Sequence, residues 1–272
     1  MNKNITTAFF IALSLFLPTI VIAAGKHTKA PSRKEWKLVW KEEFNGKKLD
    51  TRSWSRYTRN GGSDWDRHMS DLDSLCRIEN GVLQLWGINT PKGYKDEDNR
   101  TFLTGGVGSK GKRAVKNGRF EVRARYDCGE GFWPAIWLMP DTTIRHPYGG
   151  EIDIMEHLNF DNIVFQTVHT PHTLFKYEPA IQNYVMVPIK KEEFNTYAVE
   201  INTSEIIFYI NGEKTFSYKN QEPELKEQFP FNNYPFYIIL SAQLGGSWVG
   251  KINPKDLPVK MEVDYVRIYE RR

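Results

Sequence analysis

An all-β fold, a jelly-roll sandwich of antiparallel strands, is what the sequence predicts, and three observations predict it. Short runs alternate apolar and polar residues with the two-residue period of a strand. Asn-Gly pairs, whose residues accept the left-handed backbone of tight hairpins, stand between several of those runs. After the N-terminal segment no stretch carries a sustained 3.6-residue apolar stripe, so a doubly wound α/β fold would lack its helices.

In chain order, Lys3 is followed by an apolar run from Ala8 to Ile22 and the small pair Ala23-Ala24, the pattern of a secretory signal peptide over residues 1–24. That run falls short of the ~20 residues needed to span a bilayer, and Pro18 interrupts it, so a membrane anchor is disfavoured. No later stretch approaches a spanning length. The protein is therefore expected to be secreted or periplasmic after cleavage, with a Lys/Pro/Ser linker over 25–34. Residues 35–272 read as a single domain, because no second composition shift, internal repeat or low-complexity tract follows. Its strand runs are Lys37 to Trp40, Val82 to Gly87, Arg119 to Tyr126, Ile163 to His169, Thr196 to Ile201, Ile206 to Ile210, Phe236 to Gln243 and Lys260 to Tyr269. The pairs Asn80-Gly81, Asn117-Gly118 and Asn211-Gly212 predict hairpins between neighbours.

Of the 272 residues, 37 are Lys or Arg and 33 Asp or Glu, a formal net charge of +4. The cations are dispersed rather than gathered in a stripe or tail, so the footprint of a nucleic-acid binder is missing. Two cysteines exclude a disulfide framework and a Cys/His zinc array. In an exported chain Cys76 and Cys128 could pair, and two buried free thiols fit the sequence equally. Neither a G-x-S-x-G nucleophile elbow nor a His/Asp/Glu set at zinc-ligand spacing occurs. In Arg119-Phe120-Glu121-Val122-Arg123-Ala124-Arg125 the apolar residues share one strand face and four charged residues the other, which reads either as solvated surface or as a saccharide-holding face.

The most informative segment is Gly149-Gly150-Glu151-Ile152-Asp153-Ile154-Met155-Glu156-His157, with three acids in an otherwise apolar strand. Glu151 and Asp153 point to one face and Ile152 and Ile154 to the core, while Glu156 falls on the opposite parity unless one residue is bulged. A bulge near Met155 would return Glu156 to the face of the other two, and bulges of this kind re-aim side chains beside active sites. Crowded like charges push at least one pKa up. That is what glycoside hydrolysis requires: an ionised carboxylate as nucleophile and a protonated one to assist the leaving oxygen, ~5 to 5.5 Å apart in retaining enzymes. Upstream, Trp133 and Trp137 in Phe132-Trp133-Pro134-Ala135-Ile136-Trp137 offer flat faces for sugar rings.

The run Glu151-Ile152-Asp153-Ile154-Met155-Glu156, preceded by Phe132 to Trp137, resembles the signature of glycoside hydrolase family 16, specifically its laminarinase-like branch. Supporting resemblances run from Trp40-Lys41-Glu42-Glu43-Phe44-Asn45-Gly46, through Gly118 to Arg123, to Val263-Asp264-Tyr265-Val266-Arg267-Ile268-Tyr269. The resemblance implies two curved antiparallel sheets, a concave face forming an open cleft, and retaining endo-hydrolysis of a β-linked polysaccharide or glycan without a catalytic cofactor. It further implies Glu151 as nucleophile, Glu156 as general acid/base and Asp153 as the carboxylate that orients the nucleophile. Trp133, Trp137 and His169 would line the nearest sugar subsites, with Asn45 and Gln243 further along the cleft. Some relatives hold a structural calcium far from the cleft, and Glu43, Gly81 and Asp264 occupy plausible positions for one. A monomer is expected.

Two stretches depart from the laminarinase pattern. Gly61-Gly62-Ser63-Asp64-Trp65-Asp66-Arg67-His68-Met69-Ser70 replaces an Asn-, Glu- and Tyr-rich loop, and Thr167-Val168-His169-Thr170-Pro171-His172-Thr173 stands where an aromatic or glycine-rich loop is commoner. These differences direct the expectation toward galactose-containing chains, with endo-β-galactosidase action on keratan or mucin-type O-glycans. A β-1,3 or mixed-linkage endo-glucanase is the alternative. Trp65 and Trp248, in Gly/Ser-rich loops, read as exposed stacking platforms, and His68, His157 and His172 as polar loop residues rather than ligands. A non-catalytic carbohydrate-binding protein is a third reading, since fold alone does not assign chemistry. Binding-only relatives typically lack the catalytic glutamates, which are present here. Transglycosylases usually lack the extra residue between Asp153 and Glu156.

Overall fold

The computed structural model describes residues 35–60, 63–94, 100–191 and 193–272. The expected signal peptide over 1–24 and linker over 25–34 lie outside the described residues. The strands are β1 (Trp36–Glu42), β2 (Ser55–Arg56), β3 (Cys76–Glu79), β4 (Val82–Asn89), β5 (Phe102–Thr104), β6 (Gly106–Gly108), β7 (Ala114–Val115), β8 (Gly118–Tyr126), β9 (Phe132–Pro140) and β10 (Glu151–Glu156). They continue with β11 (Ile163–His169), β12 (Tyr184–Pro188), β13 (Asn195–Ile201), β14 (Glu205–Ile210), β15 (Glu213–Lys219), β16 (Phe236–Leu244) and β17 (Val259–Arg271), and the short helix α1 (Pro171–Leu174) follows β11. One sheet runs β15-β14-β13-β8-β17-β4-β3, with β1 also on β17 and β5 on β4; the other runs β12-β11-β10-β9-β16-β6-β2, with β7 also on β16. Every alternating run read from the sequence falls on one of these strands, and the strand pairs are antiparallel.

The core lies between the two sheets. Phe120, Val122 and Ala124 of β8, Leu83 and Leu85 of β4 and Val263, Val266 and Ile268 of β17 are buried, as are Ile136 and Leu138 of β9, Ile152 and Ile154 of β10 and Ile238, Leu240 and Ala242 of β16. β16 is buried on both faces, because Tyr237 and Ile239 on its far side pack with Ala135 and Trp137 beneath Tyr57 and Trp65. The same cover explains why β9 carries no alternation in sequence: apolar residues are buried on both of its faces.

Two of the three Asn-Gly pairs make the hairpins they predict. Asn80 and Gly81, at φ 54° and 76°, join β3 to β4, and Asn211 and Gly212, at 51° and 82°, join β14 to β15. Asn117-Gly118 does not. It carries the chain from β7, paired with β16 in one sheet, to β8 in the other. Local turn preference sets the backbone there but not the partner strand, and Gly118 is needed for close packing, since a Cβ would stand 2.7 Å from the Tyr269 carbonyl oxygen.

The charged row of β8 faces away from the core on the nine-stranded sheet, while the acid segment is in the eight-stranded one. The row is an ion-pair network rather than a saccharide face. Arg119 meets Glu200 at 2.8 Å and Glu121 at 2.9 Å, Arg123 meets Asp264 and Arg125 meets Glu262, each at 2.5 Å. Leu240→Ala in the middle of β16 is expected to lower unfolding free energy by about 2–5 kcal/mol in urea denaturation; a loss under about 1 kcal/mol would contradict a close-packed centre.

Candidate active site

The acid strand contains the irregularity that its spacing demands. Along β11, Glu151 pairs with His169, Asp153 with Thr167 and Glu156 with Phe165, so three steps on β10 oppose two on its neighbour. Along β9, Asp153 pairs with Trp137 and Met155 with Ile136. The extra residue leaves both Ile154 and Met155 buried in the core and returns Glu156 to the face of Glu151 and Asp153.

These carboxyl groups sit in different protonation environments. Burial alone would raise Glu151, but the hydrogen bond from His146, the charges of His169 and His146 and a hydrogen bond with Asp153 outweigh it, holding the carboxyl below its usual range. The His146 Nε2 atom lies 2.7 Å from Glu151 Oε2. Asp153 is pushed well up, first by burial and then by the Glu151 charge and their shared hydrogen bond. Two carboxylates can share such a bond only if one holds a proton, and Asp153 is the holder. Its Oδ2, 3.2 Å from His169 Nε2, receives no well-aligned hydrogen bond. Glu156 is also pushed well up, mainly by burial and then by the charges of Asp153 and Glu151, against the pull of His169 and of Trp133, whose Nε1 donates to Oε1 at 3.0 Å. The row therefore holds one carboxyl displaced toward the ionised form and two displaced toward the protonated form.

The walls differ from expectation in instructive ways. Trp133 is half-buried, and Trp248, 46% exposed, meets it edge-on at 5.3 Å and Phe165 at 5.1 Å; Trp248 is open as predicted. Trp137 is not an open platform. It is 6% exposed, donates from Nε1 to Ser241 Oγ at 3.1 Å and is covered by Trp65 at 5.0 Å. Trp65 also packs on Tyr57, so it works as a lid on Trp137 rather than as an exposed platform. A flat aromatic beside glycines gives the same sequence signal in either role. Gln243 donates to Ser241 Oγ at 2.8 Å and keeps a buried Oε1 without a partner, and His169 keeps an unpartnered Nδ1. Both atoms are buried polar groups left without a partner. Asn45 is exposed in the loop after β1, on the opposite sheet, and no contact among the described residues links it to the acids. Beside Trp65 and Trp248, the segments Asp64–His68 and Gly245–Ile252 enclose an open depression of about 640 Å³. The Ser247 N–H donates to Asp64 Oδ2 at 2.6 Å and ties the two loops together.

His146 is the site residue that the sequence reading missed. It lies in the loop between β9 and β10, where no strand period relates it to Glu151. The loop after β11 has an internal explanation: Thr170 and Thr173 form a reciprocal cap around α1, whose first residue is Pro171. His157 and His172 are buried rather than solvated, with His157 Nε2 2.8 Å from the Asp161 carbonyl and the His172 ring nitrogens against the Lys226 and Pro179 carbonyls. His68 is half-buried against Phe102 and its pKa falls to about 4, chiefly through burial. The calcium set does not fit an ion: Glu43 grips Arg267 at 2.9 and 3.0 Å and Asp264 accepts from Arg123, so guanidinium groups already neutralise both carboxylates. No group of three or more His, Cys, Asp or Glu suited to a metal occurs among the described residues. Cys76 and Cys128 form no disulfide, and burial pushes the Cys76 thiol up to about 12.

Comparison with known proteins agrees with this geometry. The model of the family described as glycosyl hydrolases family 16 matches residues 73–267. A β-glucanase of Rhodothermus marinus is 32% identical over 97% of this chain and 93% of its own length. A keratan-sulfate endo-1,4-β-galactosidase of Sphingobacterium multivorum is 32% identical over 87% of this chain, which spans 56% of that protein. Among solved structures, one from work on endo-acting O-glycanases with which members of the human gut microbiota initiate mucin breakdown is 33% identical, with a TM-score of 0.74 over 85% of this chain and 98% of its own.

His146→Ala is expected to raise the Glu151 carboxyl pKa, because it removes a donor to the ionised form. Carbon-detected NMR titration of labelled glutamate checks this, and an unchanged or lowered value would contradict the assignment.

Proposed function

Since the chain belongs to glycosyl hydrolases family 16 and is thereby a retaining, endo-acting glycoside hydrolase, we propose that it is exported and cuts internal β-linkages of galactose-containing glycans of the keratan or mucin O-glycan kind. One observation carries the catalytic part of this reading: the β10 bulge gathers Glu151, Asp153 and Glu156 on one face, with the pKa values of the two glutamates displaced in opposite directions. The galactose preference is supported by the two relatives whose names include a galactosidase and O-glycanases and by the departure of the Gly61–Ser70 and Thr167–Thr173 stretches from the laminarinase sequence pattern. Endo-glucanase action is the second reading, favoured by the near full-length match to a β-glucanase.

In this mechanism an ionised Glu151 oxygen attacks the anomeric carbon while Glu156 gives its proton to the departing glycosidic oxygen. The carbon–oxygen bond to the leaving chain breaks and an ester to Glu151 forms. Glu156, now a carboxylate, takes a proton from water as the water oxygen attacks the same carbon, which releases the sugar and restores both side chains. The Asp153 proton, shared with Glu151, holds that carboxylate in one orientation. Trp133 fixes Glu156 from the other side. Two glutamates account for every bond and proton, so the scheme draws on no cofactor.

The pH profile of kcat/KM is expected to be bell-shaped. Its acidic limb belongs to Glu151, held low and active only when ionised; its alkaline limb belongs to Glu156, held high and active only when protonated. Glu151→Gln is expected to abolish turnover. Glu156→Gln should lose about 10²–10⁴-fold on natural chains, yet keep the first step with an aryl leaving group that departs without a proton. Equal losses on both substrates would contradict the assigned roles. Mass spectrometry of products from laminarin, mixed-linkage glucan, keratan and mucin glycans should find galactose at the new reducing ends. Glucose at those ends, at rates equal to or above those on every galactose-containing chain, would establish the glucanase reading instead.

A further inference from the structure

Ten large hydrophobic side chains are exposed among the described residues, and four of them, Ile144, Tyr148, Leu174 and Phe175, stand on only two segments. One is the loop from β9 to β10; the other follows β11. Single exposed apolar residues need no explanation, but a contiguous group does. Tyr148 is 45% exposed and Phe175 46%, with ring centroids 6.0 Å apart, and Tyr177 continues the row 5.9 Å beyond Phe175.

This row adjoins the catalytic strand. Glu151 and His169 are register partners at the ends of β10 and β11, and the two aromatic segments join the chain at those same ends. Within the Tyr148 loop, His146 reaches Glu151 Oε2 at 2.7 Å. Both rings are also held ready. The Tyr148 turn is closed by the Tyr148 N–H to the Arg145 carbonyl and the Gly150 N–H to the Pro147 carbonyl, at 3.0 and 2.8 Å. Phe175 ends the capped helix α1, which His172 pins to the rest of the fold. Rigid aromatic faces add contact without a large ordering cost on binding.

We propose that Tyr148 and Phe175 form an outer subsite at the Glu151 end of the cleft, a stacking platform for the apolar face of a pyranose ring several units from the bond that is cut. The occupant is the substrate chain itself, because the two segments that carry the platform join the acid strand and its neighbour at the Glu151–His169 pair. This inference rests on the hydrolase reading above and adds chain-length dependence to it: remote binding energy from this platform reaches long chains and not short ones.

The test uses Tyr148→Ala, Phe175→Ala and the double variant, which alter exposed side chains and so leave the core intact. Kinetics are compared on the polymer the wild-type enzyme cleaves best, on an oligosaccharide ladder derived from it, and on a short aryl glycoside. Each single variant is expected to lose about two- to tenfold in kcat/KM on long chains, the size of one aromatic stacking contact, with the aryl glycoside unchanged. Equal losses on short and long substrates, or no loss on either, would overturn the proposal. So would a change in sedimentation coefficient of the double variant with unaltered kinetics, which would mark the platform as a protein contact. Failure of the wild-type enzyme to cleave any glycan, with the inert Glu151→Gln protein still binding long chains through Tyr148 and Phe175 in calorimetry, would sink the hydrolytic reading and leave the platform standing.

Discussion

Three carboxyl groups on one buried face of one strand cannot all be charged, and the site follows from how that conflict is resolved. Desolvation pushes each of them toward the neutral form, and the charge of Glu151 pushes Asp153 and Glu156 further. Only Glu151 has enough opposing help to be held below its usual range, from His146, from His169 and from the hydrogen bond it shares with Asp153. The asymmetry between Glu151 and Glu156 is thus a product of position. The two side chains are chemically identical, and their environments differ because histidines gather at one end of β10 and a tryptophan N–H at the other.

The remainder of the fold serves that arrangement. β10 is flanked by β9 and β11, so the bulge that aligns Glu156 is fixed from both sides. β9 and β16 are buried on both faces, and the Trp65–Trp137 contact, closed by Tyr57, makes a rigid floor beside the acids. Loops then add what strands cannot: His146 and Tyr148 from the β9–β10 connection, Trp248 from the β16–β17 connection. The opposite sheet carries its charges as arginine–carboxylate pairs, and those pairs occupy Glu43 and Asp264, the carboxylates that a calcium ion would need.

Much of this was legible in the sequence because it rests on strand parity. The alternation of Arg119–Arg125 and the glycine turns at Gly81 and Gly212 reported local geometry, and the odd spacing from Asp153 to Glu156 put Glu156 off the face of the other acids unless a residue bulged. Features set by tertiary partners were not legible. Asn117-Gly118 has turn chemistry yet crosses between sheets, since no local signal names the strand that receives the chain. Trp137 and Trp65 hide each other, and sequence cannot tell a ring that covers from a ring that is free to bind. β9 lacks alternation because a second layer of aromatics buries its outer face. His146 reaches Glu151 through a loop, where spacing carries no directional information.

On the reading proposed above, Glu151, held below its usual range while Asp153 and Glu156 are pushed above theirs, is the carboxylate that bonds to the sugar. The most direct measurement is to incubate the enzyme with a 2-deoxy-2-fluoro glycoside bearing a good leaving group, which slows release of the covalent intermediate, and to map the labelled peptide by mass spectrometry. The account predicts a single ester on Glu151. A label on Asp153 or Glu156 would contradict it.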